Sequence, residues 1–147
     1  MYLMDTNVLL RWSDADNPRH SECVGAVNRL IEKGFQVCVC AQILIEYWVT
    51  ATRPREVNGF GISVSTAEQN LSETCRVFPC LSEPPDMAIR WRRLVVGHNV
   101  IGKQAHDARI AAVMIAHDVE HLLTINPGDF TRYQDITPLT PSDVLAR

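Results

Sequence analysis

A chain of 147 residues with 46% hydrophobic and 21% charged residues has the size and make-up of one soluble globular domain, able to bury a core without disulfide or metal staples. No apolar run reaches membrane-spanning length and no basic leader precedes the first acid, Asp5, so neither a membrane nor a secreted protein is expected and the cytoplasm is the expected location. A net charge of -3 excludes a globally basic nucleic-acid binder, and the five cysteines lack the paired spacing of a zinc site.

From the amino terminus, an apolar run ends abruptly in Asp5-Thr6-Asn7 and resumes with Val8, Leu9 and Leu10. That pattern predicts a buried strand feeding straight into a helix, with Asp5 at the strand's carboxyl end. Asp14 to Pro18 reads as a loop. His20 to Lys33 reads as an amphipathic helix with Cys23, Val27, Leu30 and Ile31 inward and Gly34 as its stop. Phe35 to Cys40 is a short apolar strand in which alternation puts Cys38 and Cys40 on one face, as buried reduced thiols. Ala41 to Thr52 follows as a helix with Ile43, Glu46, Tyr47 and Thr50 on a shared face. It lacks a Ser or Thr cap, at a cost of about 1 kcal/mol.

Arg53 to Gly61 is rich in turn-formers and reads as an exposed connection. Ser65-Thr66-Ala67-Glu68 reads as a capping box opening a helix to about Cys75, and Arg76 to Leu81 as a short strand weakened by Pro79. Pro84-Pro85 opens a further helix to about His98. Gly102 breaks the chain ahead of a helix over Ala105 to Asp118, in which Asp107, Ile110, Ala111, Met114 and Asp118 lie on or near one face. His121 to Ile125 reads as a buried strand whose carboxyl end supplies Thr124, Asn126 and Asp129. Ile136 to Leu139 is a candidate edge strand, and a short helix ends the chain.

Strands and helices alternating through short connections predict an α/β fold: a doubly wound, mainly parallel sheet flanked by helices, three layers deep. On it Asp5, Glu46, Asp107 and Asp129 can converge at the carboxyl edge of the sheet, where open α/β sheets bind ligands. Crowded carboxylates repel one another and need cations. An all-oxygen donor set selects hard ions, Mg²⁺ or Mn²⁺, and such sites commonly handle phosphates. Of the 14 basic residues 12 are arginine, the side chain suited to forked phosphate contacts. Arg53, Arg55, Arg90, Arg92 and Arg93 are therefore candidates for holding substrate phosphates or the acidic tail of a partner, the alternative being a solvated helix face and loop. Cations bound by the four acids would offset the site's own charge, so an acidic chain can still take a phosphate-bearing substrate.

Asp5-Thr6-Asn7-Val8-Leu9-Leu10, Glu46 in Ile45-Glu46-Tyr47-Trp48, Asp107 in His106-Asp107-Ala108-Arg109, and Thr124-Ile125-Asn126-Pro127-Gly128-Asp129-Phe130 resemble, in order and at comparable spacing, the motifs of PIN-domain nucleases over nearly the whole chain. The likeness is to the VapC-like group in particular, toxin ribonucleases of bacterial toxin-antitoxin pairs, and the Arg53 to Gly61 loop is similar to members of that group. The resemblance implies a metal-dependent endoribonuclease, usually a homodimer, that leaves 5′ phosphate and 3′ hydroxyl ends and is inhibited by a small cognate antitoxin plugging the acidic cleft. Many relatives carry an acid where Asn126 stands, so the fourth carboxylate here is Asp129. Asp5, Glu46 and Asp107 would hold the principal Mg²⁺, and Asp129 would complete the cluster or bind a second ion. Thr124 and Asn126 would orient the attacking water or a coordinating carboxylate, with Asn7 bracing Asp5.

Three other readings stand beside this one. Asp5-Thr6-Asn7-Val8 also resembles the aspartyl-nucleophile phosphatases, whose chemistry wants an acid where Asn7 stands. His117-Asp118-Val119-Glu120-His121 satisfies the HxxEH zinc-protease spacing, which needs one continuous helix. A PIN-like module that binds RNA without cutting it would keep the same fold. For a nuclease, single-stranded or looped RNA is expected over duplex DNA, because cleavage needs an accessible backbone.

Overall fold

The computed structural model describes residues 1–147. Strand β1 (Tyr2–Met4) is buried throughout and gives way at once to helix α1 (Thr6–Trp12). Asp5 makes the hand-over. Its backbone is extended, and its Oδ1 accepts from the Thr6 N–H at 2.7 Å, capping the helix that begins there. Helix α2 (His20–Glu32) buries Cys23, Ala26, Val27 and Leu30. Ile31, expected inside, is 49% exposed, because the buried stripe is the narrow i, i+3, i+4, i+7 set and Ile31 opens the solvent side.

Strand β2 (Val37–Cys40) has four buried residues, and Phe35 lies outside it and exposed. Helix α3 (Ala41–Thr52) follows without a break, and Cys40 occupies the cap position with no side-chain hydrogen bond. The face expected to be shared is split. Ile43, Tyr47 and Ala51 enter the core, while Gln42, Glu46 and Thr50 turn toward a cleft. Helix α4 (Val64–Val77) is capped by Ser63, whose Oγ accepts from the Thr66 N–H at 3.0 Å. The cap therefore lies two residues ahead of the expected box. The helix then runs on until Phe78-Pro79, where the residue before proline is pushed out of the helical region. Arg76 and Val77, expected in a strand, are helical as a result, and β3 is only Cys80–Leu81.

The remaining elements are α5 (Met87–Gly97), α6 (Gln104–Ala116), β4 (His121–Leu123), β5 (Thr137–Leu139) and α7 (Pro141–Ala146). Because α6 stops at Ala116 and Asp118 is left-handed at φ 53, Asp118 leaves the face it was expected to share. His121 already lies in β4, so the HxxEH spacing does not sit on one helix.

All strand pairs are parallel, in the order β3-β2-β1-β4-β5. The chain starts mid-sheet, winds out to β3, then crosses back to lay β4 against the other side of β1. That is a doubly wound sheet, and its helices make a three-layer α/β/α sandwich: α2 packs on α1 and α7, α5 on α6, and α3 on α1, α4 and α6. The winding reverses between β1 and β4, where the loops leaving two adjacent strands diverge and open a crevice. All five cysteines are free. Burial pushes the Cys38 thiol up to about 12 and Cys40 to about 11, as inert core groups. No helix is long and apolar enough to cross a membrane.

Candidate active site

The crevice between β1 and β4 is built around Asp5. Its Oδ2 accepts from Thr124 Oγ1 at 2.6 Å and from Asn7 Nδ2 at 2.8 Å. Asn7 Oδ1 in turn accepts from the Ile125 N–H at 3.0 Å, and Thr124 Oγ1 accepts from the Asn126 N–H at 3.1 Å. These bonds tie the end of β1, the first turn of α1 and the end of β4 into one unit. Asp5 is 6% exposed. Burial pushes its carboxyl up to about 6, with the charge of Glu46 adding to the rise, against the pull of the hydrogen bonds from Thr124, Thr6 and Asn7.

Glu46 projects from the second turn of α3. One oxygen, Oε2, accepts from Thr6 Oγ1 at 2.9 Å, and the other, Oε1, from Gln42 Nε2 at 2.5 Å. Asp107 comes from the first turn of α6. Its carboxyl is pushed up to about 6 first by burial, then by the charges of Asp129, Asp5 and Glu46, with His106 pulling the other way. Asp129 stands on the short 3-10 turn Pro127–Phe130 that follows β4. The four acids and Asn126 line one cleft of about 750 Å³. No three acidic, imidazole or thiol side chains are drawn together into a ready-made metal cage; the acids line the cleft as separated, mutually repelling charges.

Thr124 is fully buried, so it acts on Asp5 rather than on solvent, and of the two polar residues expected after β4 only Asn126 faces the cleft. The arginines divide. Arg53 lines the cleft, donating from Nη2 to the Asn58 carbonyl at 2.8 Å, with its Nε buried and unpartnered. Arg55 lines a separate hollow and bonds the Phe60 carbonyl. Arg90 is paired with Asp86, and Arg92 and Arg93 sit on α5 beside Ile89 and Val96, away from the acids. Three polar side chains of the cleft were not anticipated: Gln42, Lys103 and His106. Two carried a legible signal, since Gln42 lies one turn before Glu46 and Lys103 one turn before Asp107. Arg109, which reaches both Gln42 and Glu83, gave none, because those partners are remote in sequence.

A parallel, doubly wound sheet with acids gathered where its winding reverses defines an α/β protein with an acidic ligand cleft. Residues 2–135 match the PIN domain, and the chain belongs to the PIN-domain family. Among solved structures it resembles VapBC2 from Rickettsia felis, bound to a DNA fragment from its promoter, at 17% identity and TM-score 0.67, covering 95% of this chain and 97% of that one. It also resembles VapBC-1 from nontypeable Haemophilus influenzae, at 13% identity and TM-score 0.68, covering 96% and 98%. VapC20 of Mycobacterium tuberculosis, a sarcin-ricin loop cleaving toxin, matches at 18% identity and TM-score 0.58, covering 83% and 87%. At such identities the likeness is one of fold. No curated protein sequence matches the chain.

Proposed function

We propose that this chain is a Mg²⁺- or Mn²⁺-dependent endoribonuclease and the toxin of a toxin-antitoxin pair. The observation that carries the reading is the arrival of Asp5, Glu46, Asp107 and Asp129, from four different elements, in one cleft at the reversal of the sheet. Membership of the PIN-domain family supports it, as does likeness to VapBC complexes and to a VapC20 that cleaves the sarcin-ricin loop.

The donor set fits a hard dication. All four acids offer oxygen, and burial and mutual repulsion hold Asp5 and Asp107 well above the usual carboxylate range, the mark of a site short of positive charge. Asp5, Glu46 and Asp107 would hold the principal ion, and Asp129, whose charge bears on Asp107 more than that of the other two acids, would complete the set or hold a second. When bound, such an ion neutralises charge on the phosphodiester and makes water a stronger nucleophile. Asn7 and Thr124 fix the plane of the Asp5 carboxylate, and Thr6 and Gln42 each hold one oxygen of Glu46. Asn126, the uncharged polar group beside Asp129 on the cleft wall, orients the attacking water. Arg53 and Lys103 hold neighbouring phosphates.

A small antitoxin covering the acidic cleft, a homodimer and a cytoplasmic location complete the proposal. The α5 arginines, lying outside the cleft, suit an acidic segment of a protein partner better than the RNA being cut. The phosphatase alternative fits poorly: both Asp5 oxygens accept hydrogen bonds, and Asn7, where that chemistry wants an acid, is occupied in bracing them. The test is incubation of the purified protein with mixed RNA in Mg²⁺, Mn²⁺ or EDTA, with sequencing of the cut ends, beside Asp5→Asn. Cleavage with 5′ phosphate ends, lost in EDTA and in the variant, is expected. Cleavage that persists in EDTA would remove the metal from the proposal, and RNA binding without cleavage in any metal would leave only a binding module.

A further inference from the structure

Behind Glu46 lies a chain of polar contacts that crosses between helices. Gln42 Nε2 donates to Glu46 Oε1, Arg109 donates to Gln42 Oε1, and Arg109 also pairs with Glu83, in the segment before α5. An amide side chain can be turned either way, and its hydrogen-bond partners decide which way it points. Here the choice is forced. A guanidinium has donors only, so the Gln42 atom that meets it must be the carbonyl oxygen, and the NH₂ group is left facing the carboxylate. Gln42 is 6% exposed, so water does not compete for that orientation.

We infer that Gln42, held in one orientation by Arg109, is the positioning residue that fixes Glu46 for cation binding, with Thr6 holding the opposite oxygen. The inference rests on the metal-dependent reading of the site. One donor on each oxygen fixes both the plane and the rotamer of Glu46 while leaving each oxygen a free lone-pair direction. Arg109 does not line the cleft, and Glu83 offsets its charge, so it orients Gln42 rather than serving as a cation for substrate. It stands on α6 two residues beyond Asp107, so the relay also sets the spacing between the helix that carries Glu46 and the helix that carries Asp107.

The test uses Gln42→Met, nearly isosteric but without a donor, and Arg109→Lys, which keeps the charge but replaces the fork whose two nitrogens meet Gln42 and Glu83 separately by a single ammonium. Mn²⁺ affinity is read by calorimetry on the intact protein, alongside the Mn²⁺ dependence of RNA cleavage and the melting temperature. Both variants are expected to bind Mn²⁺ about tenfold more weakly or worse, with cleavage recovering at saturating Mn²⁺. A merely structural role would lower the melting temperature and leave Mn²⁺ affinity where it was, so unchanged affinity in either folded variant overturns the relay. Where Gln42→Met does not fold, Arg109→Lys decides. A wild-type protein that neither binds Mn²⁺ nor cleaves overturns the nuclease reading itself, and the relay with it.

Discussion

Replacing Asp5 by asparagine is expected to abolish cleavage and, in the absence of metal, to make the protein more stable. Burial holds the Asp5 carboxyl at about 6 against an ordinary 3.8. A rise of that size corresponds to about 3 kcal/mol of destabilisation at neutral pH. Between those two values the folded protein keeps a proton that the unfolded chain has already released, so stability falls as pH rises through the window. The loss is complete above about 6 and absent below 3.8. Asparagine has no charge to desolvate, but it gives up part of the hydrogen bonding. Asp5 Oδ2 accepts from both Asn7 Nδ2 and Thr124 Oγ1, and an amide nitrogen in that place opposes Asn7 and leaves the Thr124 hydroxyl, whose oxygen already accepts from Asn7 and Asn126, without an acceptor, at a cost of about 1–2 kcal/mol. The net gain is then about 1–2 kcal/mol at about pH 7.5, measurable by urea unfolding in EDTA. It should vanish or reverse at about pH 4. Excess Mg²⁺ should invert the order, because a ligand held by the folded state stabilises only the protein that binds it. An Asp5→Asn protein no more stable than wild type near neutral pH, or equally advantaged in acid, would refute the reasoning.

Thr124→Val keeps the shape of a fully buried side chain but leaves the Asn126 N–H and one Asn7 donor without the oxygen they share; it should lower stability by about 2–3 kcal/mol in chemical denaturation, and a loss below about 1 kcal/mol would show the hydroxyl to be dispensable. Gly59→Ala would drive its Cβ into the Arg53 carbonyl, which is already held by the Gly61 N–H at 2.9 Å. The expected cost is about 1–3 kcal/mol, together with a raised KM for RNA as Arg53 loses its mount; an unaltered melting temperature would contradict this. In an Asp5→Asn background, Arg53→Ala should lower the slope of log affinity against log salt by about 0.7, the value of one phosphate contact on a single strand. The triple substitution of Arg90, Arg92 and Arg93 by alanine should leave that slope unchanged, and the opposite pattern would move the RNA track onto α5.

Much of the cleft could be read from the chain because each acid stands at a boundary that local signals mark. An apolar run halted by Asp5-Thr6-Asn7 marks a strand-to-helix hand-over, and Gly102 shortly before Asp107 places that acid in a first helical turn. The errors occur where local signals were equivocal or tertiary contacts decide. Ser63 and Ser65 both stand near the start of α4, and Ser63, just ahead of it, has the geometry to reach the Thr66 N–H. Periodicity alone drew Ile31 inward, although the packing surface on α2 ends before it. Arg53 and Arg55 are near neighbours in sequence, yet the turn at Arg55–Val57 sends one to the acidic cleft and the other to a different hollow. The Arg109 to Gln42 contact spans two helices far apart in sequence, and no spacing rule reaches that far.

The acids that meet in the cleft are scattered from Asp5 to Asp129 along the backbone and come from the junction of β1 and α1, from α3, from α6 and from the turn after β4. A polypeptide still being made, or one severed by a protease, that stops short of the turn after β4 cannot assemble all four. On the nuclease reading, cleavage is thereby withheld until the ribosome has passed the last of the acids and the sheet has closed around them.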